Sequence, residues 1–261
     1  MILSLSEQEI KMTADSYLES VITKYAINEA GVKNQVEVSY PIVQRWGSTY
    51  INESIYSGSI AKGTAISIGT DADVFISLTS TTSETLEQVY NTLFNAFSQA
   101  GYTPRKQNVS IGITVSGYKI DWVPGKRQSQ YGYDHSLYKR KTNSWTKTNV
   151  KTHVSNVKGS NRLKEIKLAK IWRQLHGLDF PSFYLELAVI DCLGGRSYSD
   201  LSGNFWEILR FFRNEFPNKR YLDPSNTNNA ISDDLTLTEK RKIQATAKIS
   251  RTKKTWREIV W

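Results

Sequence analysis

Cysteine is all but absent: Cys192 is the sole one among 261 residues. A disulfide framework and a cysteine-rich zinc site within the chain are therefore excluded. Histidine is scarce as well, and His135, His153 and His176 are too scattered to form one ligand set. No stretch of about 18 apolar residues occurs, so no conventional membrane-spanning helix is expected. The opening residues, MILSLSEQEIKM, lack the basic-then-apolar order of a secretory leader. These absences lead us to expect a cytoplasmic protein of a reducing compartment with no membrane partner. No internal repeat or low-complexity tract is apparent.

The length allows one large domain or two small ones, with ample material for a conventional core. Charge is unevenly spread around the net of +9. Residues 1–100 carry 5 Lys and Arg against 11 acids, whereas residues 101–170 carry 15 against only Asp121, Asp134 and Glu165. Segment 105–170 is thus a candidate for nucleic-acid contact, the alternative being a solvated basic face. The tail, with Lys240, Arg241, Lys242, Lys248, Arg251, Lys253, Lys254 and Arg257, poses the same choice.

Ile10, Ala14, Tyr17, Leu18, Val21, Ile22 and Tyr25 follow helical spacing over residues 10–27. Pro41 disfavours a helix running through it but can begin one covering Ile42 to Tyr50. A short strand, a Gly/Ser-rich turn and a strand at Val74–Leu78 come next. Thr81 and Glu84 form a capping-box pattern before a helix bearing Leu86, Val89, Tyr90, Leu93, Phe97 and Ala100, with Gly101 as its stop. Two strand-like runs, Val109–Val115 and Tyr118–Val123, flank the turn residues Ser116 and Gly117. From residue 157 onward only helices are read: Arg162–Gln174, Ser182–Leu193, Leu201–Phe216 and Glu239–Ile259. The pattern is α+β, with a first lobe over 1–156, a helical lobe over 157–261 and a substrate cleft between them.

The chemistry concentrates in Gly58-Ser59 followed, after 11 residues, by Asp71-Ala72-Asp73-Val74. On a strand, residues two apart share a face, so Asp71 and Asp73 point the same way. Side by side on an apolar strand they repel one another, a conflict that a divalent cation removes. Asp121 lies on a later apolar strand; if the strands are neighbours, three carboxylates converge, as two-metal phosphoryl transfer requires. Gly58 permits close approach of the backbone to a phosphate, Ser59 and Thr64 offer hydroxyl donors, and a helix beginning near Ile60 aims its amides at the same anion.

These residues resemble the signature of the DNA polymerase β-like nucleotidyltransferase superfamily: Gly-[Gly/Ser], a spacer, then Asp-hydrophobic-Asp-hydrophobic. Ala72 is smaller than the pattern's usual hydrophobe. Asp121-Trp122-Val123-Pro124, Trp145–Asn149 with His153, Lys167–Trp172, Ser182–Leu187 and Asp223-Pro224 with Asn228-Asn229 narrow the likeness to bacterial cGAS/DncV-like nucleotidyltransferases. Oligoadenylate synthases and archaeal-type CCA-adding enzymes share that framework. The resemblance implies a polymerase β-like lobe, a mixed sheet with helices, joined to a helical lobe with the active site between.

It further implies an NTP substrate, ATP or a related nucleotide, with two Mg²⁺ or Mn²⁺ ions on Asp71, Asp73 and Asp121. The implied product is a short cyclic or linear oligonucleotide second messenger serving antiphage defence through a separately encoded effector. The alternative is nucleotide addition to an RNA 3′ end or to a protein hydroxyl. By the same likeness Lys170 and Ser182 reach the triphosphate. Lys62 either contacts a phosphate or serves the fold, and Tyr184 either stacks on a base or packs in the core. Glu186 reads as a fold-stabilising acid, His153 as a structural hydrogen-bonding residue, and Cys192 as a small buried hydrophobe.

Overall fold

The computed structural model describes the backbone of residues 5–69 and 71–261, with side chains from Ala14 onward. Ile10, part of the first helical stripe, therefore has its side chain outside the described residues. Helices α1 (Leu5–Lys24) and α2 (Glu29–Gly47) precede strand β1 (Ile51–Tyr56), the short helix α3 (Gly58–Lys62), strand β2 (Ala72–Leu78) and helix α4 (Leu86–Gln99). Strands β3 (Arg105–Lys106), β4 (Ile111–Val115), β5 (Tyr118–Arg127), β6 (His135–Lys139) and β7 (Ser144–Thr148) complete one sheet. Helices α5 (Val150–Gly159), α6 (Leu163–Leu175), α7 (Ser182–Cys192) and α8 (Leu201–Asn214) follow, then a ribbon of β8 (Leu222–Asp223) with β9 (Asn226–Ala230), and helix α9 (Leu237–Ser250).

The sheet is mixed, in the order β1-β2-β5-β4-β3, with β6 joining the end of β5 and β7 beyond it. β2 and β5 run parallel, while β1–β2 and β4–β5 are antiparallel. Alternation along the central strands divides their side chains between two faces. Ala72, Val74, Ile76 and Leu78 on β2, with Ile120 and Trp122 on β5, pack against Val43 of α2 and Tyr90, Leu93 and Phe97 of α4. The intervening residues, Asp73 and Phe75 on β2 and Asp121 and Val123 on β5, are left for the opposite face. A larger core lies among the later helices, around Trp172, Tyr184, Phe205 and Phe212, and Leu18 and Val21 of α1 join it. The architecture is thus α+β.

Four local expectations change. The segment read as helices only also holds the β8–β9 ribbon, a short antiparallel pair whose polar, Asn-rich sequence gave no strand pattern. Pro41 lies inside α2 rather than at a helix start. Its missing donor would have met the carbonyl of Glu37, and both residues are exposed, so water can serve that carbonyl. The box that caps α4 is Thr85 with Gln88, not Thr81 with Glu84; Thr82 instead bonds back to Thr79 within a turn. Helix α9 ends at Ser250, and only a short 3₁₀ segment, Trp256–Glu258, follows. The hairpin at Ser116-Gly117 forms as read, with both residues at positive φ. Among the described residues no helix is long and apolar enough to cross a membrane.

Candidate active site

The loop from β1 to β2 builds one wall of the site. Ser57 donates its backbone N–H to the Asp73 carbonyl at 2.8 Å, which draws the start of α3 against β2. Gly58 follows at φ +53°, and a Cβ there would stand 1.8 Å from Asp73 Oδ2. Only glycine lets the chain turn this tightly over the carboxylate.

Asp73 and Asp121 are directly opposite partners in the parallel β2–β5 ladder and project from the same face. Asp71, two residues before Asp73, lines the same cleft. Burial pushes Asp73 up to about 7, aided by the charges of Asp121 and Asp71 and opposed by Lys62 and Lys170. Burial and Asp71 likewise push Asp121 up to about 6, although the Gln107 amide donates to its Oδ1 at 2.7 Å. Two acids held this far above the usual carboxylate range form a site short of positive charge.

Cations gather on the helical side. Glu186 of α7 accepts from Lys62 Nζ at 2.8 Å, Lys170 Nζ at 2.6 Å and Thr64 Oγ1 at 2.7 Å. Thr64 Oγ1 in turn accepts from Lys170 at 2.8 Å. All four residues are buried. Two lysines on one carboxylate leave a net positive charge, and Lys62 additionally lies 4.1 Å from the centre of the Phe183 ring. Ser182 Oγ accepts from Arg173 Nη1 at 3.0 Å.

Gly58, Ser59, Lys62, Asp71, Asp73, Asp121, Lys170 and Ser182 all line one cleft of about 500 Å³. Thr64 and Tyr184 are not brought to its wall. The Thr64 hydroxyl is committed to Glu186 and Lys170 behind the surface, so its phosphate-donor reading gives way to one in the buried network. Tyr184 is fully buried, 5.2 Å from Phe180 and 5.0 Å from Phe216 between ring centres, which is the core-packing alternative rather than base stacking. His153 bonds Asp223 at 2.7 Å and Ser225 at 2.9 Å, tying α5 to β8.

Sequence reasoning missed Gln107, which holds Asp121, and Arg173, which holds Ser182. Arg173 carried a signal, one helical turn after Lys170; Gln107 sits in a loop with none. Nor do the cations of 105–170 form one continuous track. Arg162 and Lys170 are buried, Lys147 pairs with Asp134 at 3.4 Å, and Lys164 pairs with Glu19 at 2.6 Å.

Among the described residues no three His, Cys, Asp or Glu side chains stand as a ready-made metal site. The donor chemistry still fits a hard divalent cation: three carboxylates line one cleft, two of them raised by burial and by the charge of neighbouring aspartates.

Residues 12–161 match the family model described as the Second Messenger Oligonucleotide or Dinucleotide Synthetase domain. A curated relative, the Cyclic AMP-AMP-AMP synthase of Escherichia coli (strain MS 115-1), is 24% identical over 157 residues. That match covers 55% of this chain and 49% of the relative, about half of the relative's length. The structure of E. coli MS115-1 CdnC with ATP is similar at a TM-score of 0.73 and 18% identity, covering 89% of this chain and 88% of that one. The Bradyrhizobium diazoefficiens CD-NTase CdnG in complex with GTP gives 0.74 at 14% identity, covering 94% of each. At these identities the likeness is one of fold, that of polymerase β-like nucleotidyltransferases.

Proposed function

The chain belongs to the family of Second Messenger Oligonucleotide or Dinucleotide Synthetase domains, and we propose on that premise that it is a metal-dependent, template-independent nucleotidyltransferase. Its product in this reading is a short cyclic or linear oligonucleotide made from ATP or a related NTP, addressed to a separately encoded effector in bacterial antiphage defence. The observation that carries the reading is the pairing of Asp73 with Asp121 across β2 and β5, facing buried lysines over one cleft.

Asp71 and Asp73 would hold two Mg²⁺ or Mn²⁺ ions, and Asp121 would share the one beside the acceptor hydroxyl. Such ions, when bound, make that hydroxyl a better nucleophile and offset charge building on the leaving group. The chain's own groups do the rest. Gly58 brings the backbone close to the triphosphate, and Ser59 and Ser182 offer hydroxyl donors to it. Lys62 and Lys170 present a positive field that the single carboxylate of Glu186 does not cancel. The acceptor oxygen bonds to the α-phosphorus, the α–β anhydride breaks, pyrophosphate leaves with the bonding pair, and the hydroxyl proton passes to water.

Tailing of RNA is the rival, since the 105–170 segment is rich in cations. Purified protein is incubated with labelled NTPs and Mn²⁺, with and without tRNA. Small phosphatase-resistant or oligomeric products formed without RNA support the proposal. Label confined to the tRNA 3′ end overturns it in favour of tailing.

A further inference from the structure

Among the described residues Asp121 is the one acid of the three whose carboxylate accepts a side-chain hydrogen bond, from Gln107 Nε2 to its Oδ1 at 2.7 Å. The amide reaches it past β4. A Cβ at Gly112 would stand 2.8 Å from Asp121 Oδ1 and 2.9 Å from Gln107 Nε2, so the glycine leaves the space that the glutamine fills. A side chain at that position would push the amide off the carboxylate.

Gln107 is itself firmly held. Ser110 Oγ donates to its Oε1 at 3.1 Å, which turns the donor end, Nε2, toward a carboxylate that can only accept. Its backbone N–H donates to the Ser110 carbonyl at 3.0 Å. Its own carbonyl accepts from the Tyr90 hydroxyl of α4 at 2.6 Å and from Arg140 Nε, just beyond β6, at 3.2 Å. Fixing a glutamine in this way costs rotamer freedom, and a half-buried loop position gains little apolar burial in return. The held amide is also neutral. A lysine or arginine at Oδ1 would offset the negative charge that a divalent cation needs, whereas an amide aims the carboxylate and leaves its charge in place.

We propose that Gln107 is a positioning residue for nucleotide transfer: it engages Oδ1 of Asp121 and so leaves Oδ2 as the oxygen offered to the ion beside the acceptor hydroxyl. A small cation that demands near-octahedral geometry gains from one fixed oxygen over a carboxylate free to swing or to chelate it. The inference rests on the nucleotidyltransferase reading above and adds a residue to its machinery, with Ser110, Tyr90 and Arg140 acting through Gln107.

The test compares wild type with Gln107→Met, which keeps the bulk and loses the donor, and with Ser110→Ala, which frees the amide to rotate. Turnover of labelled NTPs is measured with Mn²⁺. Binding of Mn²⁺ is followed separately by electron paramagnetic resonance, with a non-hydrolysable NTP analogue present. Gln107→Met should lose about 10- to 100-fold in kcat and weaken the second Mn²⁺ by a similar factor, the usual cost of removing such a partner. The donor KM and the first Mn²⁺, which arrives with the triphosphate, should stay within about twofold, because the donor's cations lie on the Lys62 and Lys170 side. Ser110→Ala should lose about fivefold in kcat and in the second Mn²⁺, the worth of one neutral hydrogen bond. Thermal melting checks the fold of each variant. Wild-type kcat and Mn²⁺ binding in either folded variant overturns the proposal, as does a loss confined to melting temperature or to donor KM. A wild type that neither turns over NTPs nor binds Mn²⁺ overturns the nucleotidyltransferase reading itself.

Discussion

At the scale of single residues, the site is defined by what crowds Asp73. Gly58→Ala must either abandon φ +53° or push Asp73 aside, because the new Cβ would meet Oδ2 at 1.8 Å. A displacement of about 1 Å at a reacting centre costs on the order of 100-fold in rate. We expect that loss in NTP turnover with the melting temperature little changed; turnover near wild type would separate Gly58 from the site. Asp73 also sets a pH dependence. Its carboxyl lies at about 7 in the fold, above its unfolded value, so the stability gained by protonation is full in acid and lost as pH rises through about 7. In chelator, Asp73→Asn should therefore become increasingly more stable than wild type between about pH 4 and 7 by urea unfolding. Added Mg²⁺ should narrow the gap by binding the wild-type carboxylate. A gap independent of pH would contradict the burial of an ionised Asp73. The sequence showed the two aspartates and their shared face, but not Gln107, because a loop amide has no periodicity to mark it.

At the scale of elements, α3, α6 and α7 are tied by one carboxylate. Glu186 serves both Lys62 and Lys170, each at least nine-tenths buried, so its removal strands two ammonium groups away from water. Breaking a buried pair in this way costs about 3–5 kcal/mol. Glu186→Ala should lose stability of that order in urea unfolding, and Glu186→Gln less, since the amide oxygen still accepts one bond. A loss below about 1 kcal/mol for Glu186→Ala would mean that water reaches the lysines. Most elements were legible: α4, α6 and α8 carry apolar residues at helical spacing, α7 is an apolar run bounded by Pro181 and Gly194, and all four lie within a few residues of their expected positions. β6 and β7 were not read, since SWTKT and HSLYK carry few apolar residues and pair at the sheet's margin. Nor was α5, whose narrow stripe of Val150, Val154 and Val157 is β-branched and set in an otherwise polar segment capped by Asn149. Pro41 misled for a local reason, because a proline is tolerated where its partner carbonyl faces solvent.

At the scale of the whole molecule, the sheet and the helical core meet where Asp73 and Asp121 face Lys62 and Lys170. The α+β class could be read from the order of elements and the shared face of Asp71 and Asp73 from alternation, whereas the adjacency of the Asp121 strand emerges only from the β2–β5 pairing. What could not be read is that α1 packs with the helices more than a hundred residues later, since a periodic stripe tells which face is buried but not against what. The central claim is that the carboxylate row transfers nucleotides. It is tested most directly by turnover of labelled NTPs with Mn²⁺ in wild type, Asp73→Asn and Asp121→Asn, each checked for a native melting transition. Product is expected from the wild type and from neither folded variant; undiminished product from either one would show that these carboxylates do not carry the transfer.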